Sequence, residues 1–269
     1  MISTQALSVK IGTKVILQNI SFHLRPGELL AIVGANGAGK STLLKSIAGH
    51  LFHKSGQISL NQKKLENWSP KELAQQRAVL SQHIQLSFSF SVLETVLLGR
   101  FVKEPIQKSR AIALWALELV NLKDKIHQDV RTLSGGEQQR VHFARVLTQL
   151  YNPDSDSPKY LLLDEPTASQ DIAQQHQLLQ LAKRSAQELD YGVLVVLHDM
   201  NLAAQYVDRL LLLKNGRLLA IGPPREVLTV ENIKTAFQVD TIVQEHPLYD
   251  CLQITTINHA LHSNPLSIY

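Results

Sequence analysis

The sequence has one cysteine and no long apolar run, and both facts limit the kind of protein it can be. Its 269 residues include only Cys251, so no intramolecular disulfide can form and a reducing compartment is expected. The apolar runs at residues 29–33 and 192–197 are far shorter than the roughly 20 residues that cross a bilayer. The N-terminal segment has no long apolar region of a signal peptide. We therefore expect a cytoplasmic protein that reaches a membrane only through a partner.

The chain also has little aromatic content and no strong charge of one sign. Aromatic residues make up 6% of the sequence and the formal net charge is +4. No Lys/Arg block and no RNA-binding aromatic motif is present, so a mildly basic solvated surface is the simpler interpretation. We expect no nucleic-acid partner. No internal repeat or low-complexity tract is visible either.

What the sequence does contain is a series of short apolar segments that alternate with helical ones. LLAIVG at residues 29–34 is followed by a glycine-rich loop and then KSTLLKSIAGHL, the order strand, loop, helix. YLLLDEP and GVLVVLHD are predicted to be buried strands that end in an acid or an imidazole. Such strands predict a parallel sheet covered by helices on both faces, which is an α/β fold.

Other segments predict additions to this sheet. Polar–apolar alternation in ALSVKI, SFHLRPGE and GQISLNQKKL predicts an antiparallel β lobe. Residues 77–82 resemble a short strand that enters a loop, and the pattern from about 84 to 150 turns helical. A terminal hairpin is predicted with its turn at Asn215-Gly216, and the tail from about Val230 is weakly patterned.

The glycine-rich loop matches the pattern GxxxxGK[ST] of a phosphate-binding loop. Its glycines let successive backbone N–H groups approach phosphate oxygens. Lys40 is expected to reach the β- and γ-phosphates, and the Ser41 hydroxyl to hold Mg²⁺. The predicted loop consists of Gly34, Ala35, Asn36, Gly37, Ala38, Gly39, Lys40, Ser41 and Thr42.

Polar residues that follow other strands supply the remaining chemistry of a nucleotide site. Asp164 is positioned to hold Mg²⁺, and the adjacent Glu165 could polarise an attacking water. His198 is expected at the carboxyl edge of the same sheet, where it could contact the γ-phosphate. Gln82 ends a strand at the start of the helical block and is uninformative alone.

The stretch LSGGEQQR at residues 133–140 predicts a second anion site on the same chain. A helix that begins Ser134-Gly135-Gly136 presents free backbone N–H groups and the positive end of its dipole. Ser134 is also expected to cap that helix. Capping does not by itself account for a second anion site beside the phosphate loop.

Together these motifs, in this order, resemble the nucleotide-binding subunit of an ABC transporter. The resemblance extends over essentially the whole chain and implies an ABC-type P-loop ATPase: a RecA-like parallel core with an antiparallel β lobe and an inserted helical lobe. It implies a catalytic core at 1–82 and about 151–269, and a helical subdomain with the signature motif at about 83–150. Gln82 becomes the Q-loop residue and a Mg²⁺ ligand, Asp171 the D-loop aspartate and His198 the H-loop switch.

The resemblance also implies why one chain carries two anion sites. In this family two subunits pair head-to-tail with two ATP molecules between them. Ser134, Gly135 and Gly136 of one chain would cap the γ-phosphate of the ATP held by the other. The implied ligands are ATP and Mg²⁺, and the implied assembly is a homodimer.

Two residues depart from the usual pattern of the family. An aromatic residue commonly lies under the adenine, but the dipeptide here is Ile11-Gly12, so only apolar contact is available. The D-loop commonly reads SALD, whereas here Gln170 precedes Asp171. Gln170 thus replaces an apolar residue near the implied subunit junction, and the catalytic residues stay in place.

The sequences at residues 77–100 and 197–229 also resemble one group of importer subunits, the ATPases that power uptake of iron chelates, haem and cobalamin. Within it, the extended loop at 152–159 and the tail at 243–254 favour the haemin branch, with ferric siderophore or cobalamin import as alternatives. The implied partners are a dimeric permease on the cytoplasmic face of the membrane and, indirectly, a periplasmic or surface substrate-binding protein. The substrate would pass through the permease, so the histidines are not interpreted as haem ligands.

Three other classes of protein are alternatives to an importer subunit. A soluble ABC ATPase that acts on DNA or ribosomes usually has coiled-coil insertions or two cassettes, and neither is visible. An exporter subunit fits the Q-loop region less well. A module without activity is opposed by the presence of Lys40, Asp164, Glu165 and His198 together.

Overall fold

The computed structural model describes residues 1–51, 55–81, 88–168 and 170–257. The strands are β1 (Ile2–Ile11), β2 (Lys14–Leu24), β3 (Leu29–Gly34), β4 (Ser55–Leu60), β5 (Lys63–Lys64), β6 (Arg77–Leu80), β7 (Tyr160–Leu163), β8 (Gly192–Val196), β9 (Arg209–Lys214), β10 (Arg217–Gly222), β11 (Asp240–Glu245) and β12 (Leu252–Ile257). The helices are α1 (Lys40–Ile47), α2 (Pro70–Gln76), α3 (Val92–Leu97), α4 (Ile106–Leu119), α5 (Gly135–Leu150), α6 (Ile172–Leu189), α7 (Met200–Tyr206), α8 (Pro224–Val227) and α9 (Val230–Phe237).

A six-stranded sheet in the order β10-β9-β3-β8-β7-β6 forms the centre of the described chain. Strands β9, β3, β8, β7 and β6 are parallel to one another, and β10 is an edge strand antiparallel to β9. Every residue of β3, β7 and β8 is buried, because helices or the β lobe cover both faces. The nearly continuous apolar sequence of these strands follows from that burial, and the predicted α/β fold is confirmed.

The antiparallel lobe is the sheet β2-β1-β4-β5, as the alternating segments predicted. Its inner face shares a hydrophobic cluster with α1 and with one face of the central sheet, in which Leu17, Leu43 and Ile32 are fully buried. This packing places β2 directly beside the loop that precedes α1. The predicted hairpin around Asn215-Gly216 is present as β9 and β10.

Helices α3, α4 and α5 lie within the segment predicted to be helical. Helix α5 begins at the predicted Ser-Gly-Gly start and ends at Leu150, where the predicted helical segment ends. Phe143 of α5 belongs to the same hydrophobic cluster as Ala116 of α4 and Val195 of the central sheet. The helical block and the sheet therefore share one continuous core. The division into a catalytic core and a helical subdomain stays a prediction.

The C-terminal part of the described chain is more regular than its weak pattern indicated. Helices α8 and α9 precede the antiparallel hairpin β11–β12. Asn201 of α7 holds this hairpin through both sides of its amide: Nδ2 donates to the Ile254 carbonyl at 3.1 Å, and Oδ1 accepts from the Ile254 N–H at 2.7 Å. A tertiary contact of this kind leaves no periodic signal in the sequence.

The described residues contain no helix that is both long and apolar enough to cross a membrane.

The buried guanidinium of Arg100 ties the end of α5 to the segment between α3 and α4. Its Nη1 donates to the carbonyls of Thr148 and Tyr151, at 2.9 and 2.7 Å, and its Nε donates to Glu104 Oε1 at 2.9 Å. The side chain of Arg100 is only 5% exposed. A cation at the C-terminal end of a helix satisfies free carbonyls and interacts favourably with the helix dipole.

We expect Arg100→Ala to lower the free energy of unfolding by about 3–5 kcal/mol, because two carbonyls lose their donor and the Glu104 carboxylate keeps only the Ser109 hydroxyl as a partner. Urea denaturation of the isolated chain measures this. The matched control is Arg110→Ala, which removes an exposed arginine of α4 and should change stability by less than about 0.5 kcal/mol. Equal losses in the two variants would contradict the assignment.

Candidate functional site

The phosphate-binding loop connects β3 to α1 and wraps around the ammonium group of Lys40. Lys40 is 5% exposed, and its Nζ donates to the carbonyls of Gly34 at 2.8 Å and Ala35 at 3.2 Å. Burial lowers the pKa of Lys40, while nearby Glu165 and Asp164 act in the opposite direction. Asn36 and Gly37 are exposed at the loop tip. The loop therefore offers a cation behind backbone N–H groups, as an oligophosphate requires.

The turn between β9 and β10 supports this loop from the side. The Gly216 N–H donates to the Ala38 carbonyl at 3.0 Å, and the Gly216 carbonyl accepts from the Gln18 N–H at 2.8 Å. Gly216 has φ of 75°, and a Cβ there would lie 2.0 Å from the Ile16 carbonyl oxygen. Only glycine fits this position, which the sequence had indicated merely as a hairpin turn.

Asp164 follows β7 and is 8% exposed, and its Oδ1 is buried with no hydrogen-bond partner in the described structure. Burial raises the pKa of this carboxyl, and a hydrogen bond with the Ser41 side chain partly offsets the effect. A carboxylate oxygen beside a hydroxyl, both next to the phosphate loop, is the hard-oxygen donor set that Mg²⁺ prefers. The residues present thus fit a magnesium ion.

Glu165 and His198 form a direct pair across the ends of β7 and β8. His198 Nε2 lies 2.8 Å from Glu165 Oε1, and the two side chains are 46% and 18% exposed. The backbone of Glu165 has φ of 49°, a left-handed conformation that costs a residue other than glycine about 1–2 kcal/mol. Such strain persists where the surrounding structure imposes it, and it is common at functional sites. The pair can orient a water molecule at the exposed edge of the sheet.

The second predicted anion site is the N-terminus of α5. Ser134 caps it in a reciprocal capping box: Ser134 Oγ accepts from the Glu137 N–H at 3.3 Å, and Glu137 Oε2 accepts from the Ser134 N–H at 3.0 Å. A hydrogen bond from Lys125, followed by those from Ser134, lowers the pKa of Glu137 to about 2. Ser134 and Gly135 are exposed, so this helix end faces solvent.

The two candidate anion sites contact different parts of the chain. The phosphate loop packs on β2 and on the β9–β10 turn, whereas the start of α5 packs on the first turn of α6 at Gln174. Asp171 caps α6, because its Oδ1 accepts from the Gln174 N–H at 2.9 Å. Gln82 and Ser169 lie outside the described residues, so the predictions for Gln82 stay predictions.

Ile11 lies at the tip of the β1–β2 hairpin, where it pairs with Lys14 and is 51% exposed. Leu17, three residues after Lys14 along β2, lies beside Gly39 of the phosphate loop. Three strand residues span about 10 Å. The apolar contact of Ile11 with adenine stays a prediction.

A phosphate loop between a buried strand and a helix, beside acidic residues at the end of a neighbouring parallel strand, is typical of nucleoside-triphosphate hydrolases. The model of the ABC transporter family matches residues 17–168, and the chain belongs to this family. As an ABC ATPase it is an ATP-binding subunit that hydrolyses ATP.

Curated relatives are similar over nearly the full chain. The hemin import ATP-binding protein of Deinococcus radiodurans is 49% identical over 91% of this chain and 93% of its own length. The protein of the same name from Gloeobacter violaceus is 44% identical over 97% of this chain and 95% of its own length.

Solved structures agree with the fold. An ABC transporter assigned to the metal-chelate type, in an inward-facing conformation, aligns with a TM-score of 0.81 and 27% identity, covering 97% of this chain and 98% of that one. A dimeric bacterial ABC transporter cassette aligns with a TM-score of 0.70 and 28% identity, covering 84% of this chain and 99% of that one.

We expect Gly216→Ala to weaken ATP binding about tenfold or more, because the added Cβ pushes the turn away from Ile16 and from Ala38 of the phosphate loop. The left-handed backbone adds a cost of about 1–2 kcal/mol. ATP affinity of the isolated chain, measured by calorimetry, tests this. Asn215→Gly changes the adjacent left-handed residue without adding an atom, and it should keep the affinity of the unmodified chain. Unchanged affinity in Gly216→Ala would refute a supporting role of the turn.

Proposed function

We propose that this chain powers the import of haemin across the cytoplasmic membrane, as the ATP-hydrolysing subunit of the importer. The shared name of the two curated relatives, hemin import ATP-binding protein, supports haemin as the cargo. The similarity to a transporter assigned to the metal-chelate type agrees with a chelated metal. The cargo would pass through the permease without contact with this subunit, so no residue of this chain selects it. Ferric siderophore or cobalamin import is therefore the alternative.

One observation carries the mechanism: a single chain has two candidate anion sites with different structural neighbours. A second chain arranged head-to-tail would place Ser134, Gly135 and Gly136 over the γ-phosphate of the ATP that the first chain holds. The dimeric cassette among the solved structures agrees with a homodimer. ATP then stabilises an interface that weakens when its γ-phosphate leaves.

The residues from Gly34 to Thr42 bind the phosphates of ATP, with Lys40 as the cation closest to the β- and γ-phosphates. Asp164 and Ser41 would hold Mg²⁺, with Gln82 as a further ligand, and the ion would supply positive charge beside the phosphate oxygens. The unpartnered Oδ1 of Asp164 supports this assignment. Asp171 contributes to the interface at the start of α6.

Glu165 and His198 act on the attacking water. Glu165 accepts a hydrogen bond from the water and aligns it with the γ-phosphorus, and His198 holds Glu165 and contacts the γ-phosphate. The contact of 2.8 Å between the two side chains supports a joint role. Gln82, at the start of the helical block, would be a further catalytic residue beside this water.

The exposed apolar side chains of the helical block support a docking face for the permease. Phe88, Leu98, Phe101 and Ile106 are 72%, 52%, 45% and 66% exposed, and they lie close in sequence to Gln82. A dimeric permease on this face would hold the homodimer at the cytoplasmic side of the membrane. A substrate-binding protein delivers haemin on the opposite side.

We expect Glu165→Gln to keep ATP binding and to lower hydrolysis by a factor of about 10² or more, because the amide polarises water less well than the carboxylate. ATP should then hold the variant as a dimer in size-exclusion chromatography. Glu188→Gln, which alters an exposed carboxylate at the end of α6, serves as the control. Normal turnover in Glu165→Gln would remove its role at the water.

The cargo is tested in liposomes that hold this chain with its permease. Haemin-loaded binding protein should stimulate ATP hydrolysis and haemin uptake, and Glu165→Gln should abolish both. Stimulation only by siderophore- or cobalamin-loaded binding protein would keep the mechanism and overturn the cargo.

A further inference from the structure

The side chain of Gln174 in α6 lies directly across the backbone of Gly136 at the start of α5. A Cβ at Gly136 would lie 2.3 Å from Gln174 Oε1, 2.5 Å from its Cδ and 2.7 Å from its Cγ. Gly136 is buried by this contact, whereas the preceding Ser134 and Gly135 stay exposed. The absence of a side chain at Gly136 therefore allows α6 to touch the backbone of the candidate anion site.

Arg140, one turn along α5, holds the Gln174 amide in this place. Its Nη1 donates to Gln174 Oε1 and also to Gln177 Oε1, the latter at 2.9 Å. One guanidinium therefore links two positions of α6 to the first turns of α5. Of the two glutamines, Gln177 is exposed, and Gln174 is the one that reaches Gly136.

The first turn of α6, which carries Gln174, is also hydrogen-bonded to the segment that follows Glu165. The Gln174 N–H donates to Asp171 Oδ1 at 2.9 Å. The neighbouring Gln175 donates from Nε2 to the carbonyls of Thr167 and Gln170, at 3.3 and 3.1 Å. Thr167 is two residues from Glu165. The segment after Glu165, the start of α6 and the start of α5 thus form one connected series of hydrogen bonds.

We propose that Gln174 is a positioning residue that couples the two ATP sites of the homodimer. The inference rests on the proposed function, in which the start of α5 faces the ATP of the second chain. A shift of the segment after Glu165, when the ATP of this chain is hydrolysed, moves α6, and Gln174 transmits that movement to Gly136. The signature turn then presents its N–H groups differently to the other ATP.

For ATP binding this coupling is reciprocal, since two coupled sites change each other's affinity by the same factor. The contact between Gln174 and Gly136 can transmit a movement because it leaves no free space. Gln174 cannot move toward α5 without displacing the Gly136 backbone. Its disruption should leave the phosphate loop intact, because Lys40 and Asp164 contact other residues. The expected effect is on cooperativity and turnover, with ATP affinity of the single chain unchanged.

The test compares Gln174→Ala with the control Gln177→Ala in the liposome assembly with the permease. Gln174→Ala should lower kcat about fivefold or more and bring the Hill coefficient for ATP close to 1. ATP affinity of the isolated chain should stay within about twofold. Gln177→Ala, which loses an Arg140 contact without touching Gly136, should keep the Hill coefficient and kcat.

One further variant keeps the result interpretable. If Gln174→Ala fails to fold, as thermal unfolding would reveal, Gln174→Leu takes its place because it keeps the side-chain volume and lacks the acceptor. An unchanged Hill coefficient in a folded Gln174→Ala or Gln174→Leu variant overturns the inference, and so do equal losses in Gln174→Ala and Gln177→Ala.

The variant Ser134→Arg, which blocks the signature turn itself, separates the role of Gln174 from the proposed two-chain ATP site. If Ser134→Arg abolishes hydrolysis while the Gln174 variants behave as the unmodified chain, only the inference is wrong. If Ser134→Arg leaves hydrolysis unchanged, the two-chain site is wrong and the inference falls with it.

Discussion

Parallel hydrogen bonding between β3, β8 and β7 brings loops from distant parts of the chain to one edge of the sheet. In the observed register Ile32 pairs with Val196, and Leu163 pairs with Val195. The residues that follow each strand, the phosphate loop, Asp164 and His198, must therefore emerge side by side. A slip of this register would separate Lys40 from the carboxylates that face it. The chemistry of the site depends on this pairing before it depends on any single side chain.

The same arrangement places opposite charges in a partly dry environment. Burial lowers the pKa of Lys40 and raises that of Asp164, so each group favours its neutral form more than it would in water. In the proposed function, a phosphate group would supply a negative charge to Lys40 and a divalent cation a positive charge to Asp164. Such pairing would offset the cost of burying these two ionisable groups at the centre of the site.

Helix α5 belongs to two functional regions at once. Its N-terminus presents the signature turn, while its apolar face packs on the sheet that carries the phosphate loop. Arg100 secures its C-terminal end to the helical block with the exposed apolar surface. Because a helix moves as a rigid body over such a length, a displacement at either end reaches the other. In the proposed assembly, the two ATP sites and the docking face are therefore linked through this one helix.

The amino-acid sequence alone determined the local features of this protein, because each arises from residues close together in the chain. The phosphate loop, the buried strands and the start of α5 follow from glycine spacing, apolar runs and the capping residue Ser134. The tertiary structure alone decided what depends on distant contacts: the pairing of Glu165 with His198, the left-handed backbone of Glu165, the support of the phosphate loop by Gly216, and the C-terminal hairpin. These are set by packing between segments far apart in sequence, and a single sequence carries no periodic or local signal for such contacts.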